Sequence, residues 1–447
     1  MTTARPTTTP LTLLALSALF SSIGNGIAAV ALPWLVLERT GSASSAALVA
    51  AAASVPLLFA TIVTGTIVDR VGRRTTAILS DALSGLSIIA IPLLDMSIGL
   101  SIGWLAVCAA LGAVFDPAGV TARETMLPEA ARVSGWRLDR VNSIYEAVYN
   151  ASYLIGPGLG GLLIAIVGAD NTLFVTGAGF ALSLAAVAGV TLSNAGRPVP
   201  VVDPQGFWES TREGLAFVWR DPLLRAMALL STVIVGLWMP IQGIILPAHY
   251  TQANEPGHLG WVLMSISAGG LLGSLAYGHW SNRFGRRALM IASMVGYAVS
   301  TLGMAFLPPL LPMLLLGFAM GVTYGPEPPI VNYAMQTRTP ERLRGRVTGA
   351  MSSFAYAAGP LGYLLVGPLI DQFGLQVVFF LLSGLVVLLA MATVVTRPLH
   401  LLDAPGPFAD DGHDLEHAPF DVESPYVTIP HMVLEHRPVP PSAHSPE

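Results

Sequence analysis

The sequence predicts an all-α membrane protein whose twelve transmembrane helices form two pseudo-symmetric six-helix bundles. Three observations lead there: a charge-poor composition, apolar stretches that fall into two sets of six, and a ten-residue pattern that occurs twice.

Of 447 residues, 53% are hydrophobic and only 11% charged, against roughly 25% charged in an ordinary soluble domain. The mean hydropathy is +0.65. A soluble chain of this length would need charged surfaces for two or three domains, and those residues are missing. The net charge of −5 says little, because much of the acid lies after residue 400. A single cysteine, Cys108, sits in an apolar run, so there is no disulfide framework.

A membrane-crossing helix needs about 20 apolar residues. Such stretches fall at about 11–37, 45–68, 75–95, 98–118, 142–167 and 171–193, then at 225–248, 259–281, 288–307, 310–333, 347–370 and 376–396. The first continues through Pro33 and Trp34 toward further spans and reads as a retained helix, not a cleaved leader. With both termini cytoplasmic, the inside segments hold every arginine except Arg39, and the chain has no lysine. That asymmetry predicts a multi-pass protein of the bacterial plasma membrane with both ends inside.

The domain reading is a first bundle at 1–193, a cytoplasmic linker at 194–224, a second bundle at 225–397 and a disordered cytoplasmic tail at 398–447. In the linker, Trp208, Leu215, Val218 and Trp219 recur at helical spacing beside Glu209, Arg212, Glu213 and Arg220. This suits an amphipathic helix on the membrane surface or a plain linker helix. The tail is rich in Pro, Asp, Glu and His and too poor in apolar residues to fold.

The repeated pattern is Gly65-Thr-Ile-Val-Asp69-Arg70-Val-Gly72-Arg73-Arg74, answered 213 positions later by Gly278-His-Trp-Ser-Asn282-Arg283-Phe-Gly285-Arg286-Arg287. Each copy joins two apolar stretches. Gly65 lets helix ends approach, and Gly72 permits the positive φ of a tight turn. The arginines hold the turn at the anionic inner face. Asp69 can pair with them or with the positive N-terminal end of a neighbouring helix, where a contact made in one conformation only would act as a latch. The other reading is a topology anchor.

A second cluster, Gly156-Pro157-Gly158-Leu159-Gly160-Gly161, lies in span five, with a degraded partner Gly359-Pro360-Leu-Gly362-Tyr363 in span eleven. Pro157 removes a backbone donor and can bend the helix, while the glycines allow close helix contact. Leu32-Pro33 and Leu246-Pro247 repeat at an offset of 214.

On the repeated arginine turn the chain resembles the major facilitator superfamily over about residues 8–397. The resemblance implies the major facilitator fold, transport by alternating access, and a switching role for the turns, with the charge latch in the first half because Asn282 replaces the acid in the second. The cluster at 156–161 resembles the motif of exporters that exchange cargo for protons. Leu32-Pro33-Trp34 with Glu38-Arg-Thr-Gly41-Ser42, Asp81, the stretch Glu213–Pro222 and Arg344-Gly-Arg346-Val look like the transmembrane secretion effector group, which includes macrolide-type and siderophore exporters. Span four, read as 98–118, carries no arginine at its middle, where many drug/proton antiporters have one.

Ionisable groups inside the bilayer cost about 2.5–3.5 kcal/mol each on insertion scales, which makes them candidates for function. Asp116 falls toward the cytoplasmic end of span four beside Pro117, and Glu327 at related depth in span ten among Pro326, Pro328 and Pro329. The prolines are expected to break both helices. The two acids are candidates to bind a proton or a cationic cargo, or to cap helix ends. Asp81 is expected to pair with the arginines of the adjacent turn, and Glu146 at the start of span five is a further candidate. Asn25, Tyr149, Trp238, Gln242, Asn332 and Tyr356 have the depth expected of a pocket lining.

These features predict a monomeric, proton-coupled exporter of hydrophobic or amphipathic small molecules; a nutrient symporter of the same fold is the alternative. No Gly-x-x-x-x-Gly-Lys loop, metal-ligand cluster or Ser-His-Asp arrangement is legible, so neither ATP drive, an enzyme, a cofactor nor a nucleic-acid partner is expected.

Overall fold

The computed structural model describes residues 7–99, 101–192, 207–340, 343–404 and 406–408; the side chains of 57–67 and of a few further positions, Asp69 and Trp208 among them, lie outside the described residues. The first half is α1 (Thr9–Thr40), α2 (Ala43–Val71), α3 (Arg73–Ile98), α4 (Ile102–Ser134), α5 (Leu138–Val167) and α6 (Ala169–Ala188). The linker forms α7 (Phe207–Arg220). In the second half, α8 (Pro222–Pro240), a π turn (Ile241–Ile245) and α9 (Leu246–Ala253) make one crossing, followed by α10 (Pro256–Phe284) and α11 (Arg286–Ala305). The next crossing is shared by α12 (Leu310–Tyr324) and α13 (Glu327–Arg338), before α14 (Arg344–Phe373) and α15 (Leu375–Val395). Among the described residues, eleven crossings are long and apolar enough to traverse a bilayer, and the twelfth is α2, a helix of 29 residues whose described apolar part is Ala43–Pro56.

One glycine suffices to reverse the chain at both arginine turns. Gly72 ends α2 and precedes α3 at φ 95°, and Gly285 ends α10 and precedes α11 at φ 81°. With ψ near 150°, this backbone region is open to glycine almost alone. The arginines then face their own half. Arg74 donates to the Ala188 carbonyl at the end of α6, and Arg286 lies 3.6 Å over the Tyr333 ring. Arg70, Asn282 and Arg283 are exposed.

Several sequence expectations change. Span four does not end near 118: α4 runs to Ser134 with Pro117 and Pro128 inside it. Pro117 leaves the Ala113 carbonyl without its helical partner, but Ala113 and Gly112 border a cavity, so the ring and the freed carbonyl are accommodated. Span ten does break, at Gly325-Pro326. There Pro328 and Pro329 occupy the first turn of α13, where helical amides have no partner to lose. The linker helix α7 packs on α14: Val218 is fully buried, Trp219 stacks on Phe354 at 5.9 Å, and Glu213 pairs with Arg346. Asp221 caps α8 through the Leu223 and Leu224 amides, both at 2.9 Å, and pairs with Arg338 at 2.9 Å. Residues 397–402, all but the first assigned from sequence to the tail, form a 3-10 turn with Leu399 and Leu402 buried, and Asp403 accepts from the Arg286 amide at 2.7 Å. The histidines beyond residue 409 lie outside the described residues.

The halves meet at the face opposite the arginine turns. There a Cβ on Gly161 of α5 would stand 2.5 Å from the Pro256 carbonyl and 2.8 Å from Gly260 of α10. On the arginine-bearing side, Asn142, Ser143 and Glu146 of α5 and His279 of α10 are exposed.

Candidate functional site

The glycine cluster of α5 sets the geometry. Gly156 lies against Gly26 of α1 so closely that a Cβ on either would come within 2.9 Å of the other's backbone. Gly160 abuts Ile27, and α5 runs unbroken through Pro157. Close approach of α1 and α5 on one side leaves room on the other.

That room is a cavity of about 270 Å³ among α1, α2, α3 and α4, closed from the second half by Gly243 and Tyr363. Its wall is made of small and apolar side chains, Ala46, Val49, Ala50, Cys108 and Ala109 among them. Ser54, Ser84 and Tyr363 also line it, and Asn25 and Asp116 add a hydrogen-bonded pair in which the Asn25 amide donates to Asp116 Oδ1 at 2.8 Å. Because α4 extends to Ser134, Asp116 sits near the middle of its helix, not toward the end.

Two turns further along α4 lies Arg123, 1% exposed and ion-paired with Asp81 of α3, which is equally buried. Arg123 Nε also donates to Ser17 Oγ at 2.8 Å, and Ser183 Oγ donates to Asp81 Oδ2 at 2.6 Å. The network joins α1, α3, α4 and α6 and satisfies charges that could not be buried alone. Asp81 therefore pairs across to α4 and not with the arginines of the adjacent turn. Arg123 is therefore a buried arginine within α4, past the middle of the helix. The early end assigned to α4 had placed Arg123 in a loop; the signal that would have recovered it is the seven-residue spacing from Asp116, which sets both on one helix face.

The second half holds a cavity of about 440 Å³ lined by Trp238, Gln242, Ile266, Tyr297 and Tyr324, with Leu154 reaching in from α5. Glu327 adjoins it without lining it: the side chain is 4% exposed and accepts from Ser231 at 2.8 Å and from the Tyr324 hydroxyl. Of the other sequence candidates, Tyr149 is half-buried, Glu146, Asn332 and Tyr356 are exposed, and none of these four borders either cavity.

Sequence reasoning missed the π turn. Two adjacent residues of it serve different cavities, Gln242 the one in the second half and Gly243 the one in the first. π bulges concentrate at functional sites, and the prolines bracketing this one, Pro240 and Pro247, were the available hint.

The sequence profile of the Major Facilitator Superfamily matches residues 14–245 and 229–433. The chain is 48% identical over 397 residues to the multidrug efflux pump Tap of Mycolicibacterium fortuitum, covering 88% of this chain and 97% of the relative. It is 43% identical to the pump of the same name in Mycobacterium tuberculosis, covering 88% and 95%, and 22% identical to the macrolide efflux protein A of Streptococcus pyogenes, covering 86% and 95%. Among solved structures, a variant of the nucleoside transporter NupG superposes with a TM-score of 0.73 at 12% identity, over 87% of this chain and all of that one. A POT family transporter bound to 5-aminolevulinic acid gives 0.68 at 12% identity, over 87% and 96%. The chain belongs to the major facilitator superfamily.

Proposed function

We propose that the protein exports hydrophobic or amphipathic drugs across the bacterial plasma membrane by alternating access, exchanging them for protons, and that it does so as a monomer. The arginine-bearing face is cytoplasmic in this reading, with both termini inside, because the arginine asymmetry follows the positive-inside rule. Two efflux pumps named for many drugs share 48% and 43% of their residues with it over nearly their whole length. The glycine-tight contact at the outer face and the exposed α5 start on the inner face correspond to an inward-open state.

The observation that carries the reading is Asp116, a carboxylate at mid-helix on the wall of an apolar cavity, anchored by one amide. A carboxylate there can hold a proton or the cationic end of an amphipathic cargo, and competition between them couples the two fluxes. Each proton moving inward down 100 mV releases about 2.3 kcal/mol. Bulky cargo suits the apolar walls, and Trp238 and Gln242 offer a second patch in the other half.

The test is transport in proteoliposomes with an imposed pH gradient, using cargo chosen from a drug and siderophore susceptibility panel that compares deletion with overexpression. Cargo is expected to move against the proton flow. Movement with the protons would replace the exporter by a symporter.

A further inference from the structure

The core of the arginine turn, Gly-x-x-x-Asp-x-apolar-Gly, occurs at more places than the two arginine-bearing copies. The C-terminal ends of α2, α5, α10 and α14 read Gly65-Thr-Ile-Val-Asp69-Arg-Val-Gly72, Gly161-Leu-Leu-Ile-Ala165-Ile-Val-Gly168, Gly278-His-Trp-Ser-Asn282-Arg-Phe-Gly285 and Gly367-Pro-Leu-Ile-Asp371-Gln-Phe-Gly374. All four end on a glycine at φ between 81° and 95° that also starts the next helix. They are one structural device used four times. At its fifth position a carboxylate stands in only two copies, Asp69 and Asp371.

Those two carboxylates belong to helices that pack on each other across the halves. A Cβ on Gly367 of α14 would lie 2.5 Å from the Ala47 Cβ of α2. Since α2 ends at an arginine turn and α14 begins on that face, the pair is antiparallel. Each helix thus has its acidic C-terminal end on the same face of the membrane as the other's N-terminus.

At the outer face the contact is made. Asp371 accepts from the Ala43 amide at 2.9 Å, the Ser44 amide at 3.0 Å and the Ser42 hydroxyl at 3.0 Å. Ser42 in turn accepts from the Ser45 amide at 3.2 Å. The first three orphan donors of α2 are therefore satisfied, two of them by a carboxylate from the other half, where the helix dipole favours negative charge. At the inner face α14 starts behind Leu343, which has no capping side chain.

We infer that Asp371 is the outer-gate latch of the transport cycle: bound to the N-terminus of α2 it holds the outer ends of the two halves together, and it must let go for the outward-open state to form. Asp69 stands in the mirrored place for the inner gate. One helix pair then carries a latch at each end, and a rocking motion that engages one draws the other apart. The α5–α10 pair, with Ala165 and Asn282, carries no carboxylate at the equivalent positions and meets instead through the close packing of Gly161 on Gly260. The inference rests on the alternating-access reading above.

The test is the distance between spin labels at Glu38→Cys and Gln376→Cys, both exposed positions at the outer face of opposite halves, in a Cys108→Ala background in lipid nanodiscs. Asp371→Asn keeps the shape and removes the charge; Asp371→Ala removes the acceptors as well. The ratio of long to short distances is expected to rise about two- to fivefold in Asp371→Asn, the range for an exposed carboxylate at a helix N-terminus, and further in Asp371→Ala. Distance distributions unchanged in both variants would overturn the latch. Drug efflux by the unmodified protein is scored separately, so loss of the latch and loss of the export reading have different signatures.

Discussion

Arg123 of α4 and Asp81 of α3 form an ion pair in which each side chain is 1% exposed, and the two serines Ser17 and Ser183 complete its hydrogen bonding. Removing one partner leaves a charge with neither water nor counter-ion. Arg123→Leu is expected to cost about 3–5 kcal/mol of stability, seen as a drop in thermal unfolding temperature in detergent and in yield. The double variant Arg123→Leu with Asp81→Leu should recover much of that loss. If the single and double variants unfold alike, the pair is not what holds the four helices.

Asp116 and Glu327 are separated by their surroundings. Asp116 faces a cavity, whereas Glu327 is enclosed by Ser231 and Tyr324. Initial transport rates measured across pH should lose their dependence in Asp116→Asn. Glu327→Gln, whose amide oxygen can still accept both hydroxyls, should keep it. The opposite pattern would move the coupling group to the second half.

Cys108 is a built-in reporter, since it lines the same cavity as Asp116 and is the one cysteine in the chain. Labelling by N-ethylmaleimide should proceed slowly and slow severalfold further when a transported drug is added. A labelling rate indifferent to every transported drug would place the cargo elsewhere.

Gly161 allows α5 to touch α10 at the face opposite the arginine turns. Valine there collides with the backbone of Pro256 and Gly260, a change that costs typically 1–3 kcal/mol where packing is tight. In the proposed cycle this contact opens in the outward-open state, so Gly161→Val should enrich that state and lower the transport rate while leaving membrane insertion intact. Limited proteolysis and label accessibility from the outer face read this directly.

For the arginine turn at 65–74, Asp69→Asn should slow transport with normal expression. An unchanged rate would leave the turn as a topology anchor only.

Helix number, duplication and family were legible because each rests on long-range repetition: two arginine turns, two sets of apolar stretches and two Leu-Pro pairs. Helix ends were less so. The end of α4 was placed 16 residues early, since Arg123 and Glu124 interrupt the apolar run that marks a membrane segment and nothing in one sequence says that Asp81 will neutralise the first of them. Pocket residues were half legible for a related reason. Asn25, Trp238 and Gln242 border cavities, but depth along a helix says nothing of the face, so Asn332 and Tyr356 at equal depth are exposed. The four-fold Gly-x-x-x-z-x-apolar-Gly device was written in the sequence throughout, and its meaning became clear only when Asp371 was seen against α2.

The π turn at Ile241–Ile245 stores one surplus residue within span seven. A helix holding such a residue can pass it along its axis, reverting to α geometry in one place as the widened turn reappears a step away. Each step swings the intervening side chains by about a third of a circle. Gln242 and Gly243 face different chambers, so the phase of the helix at this turn decides which side chain each chamber receives.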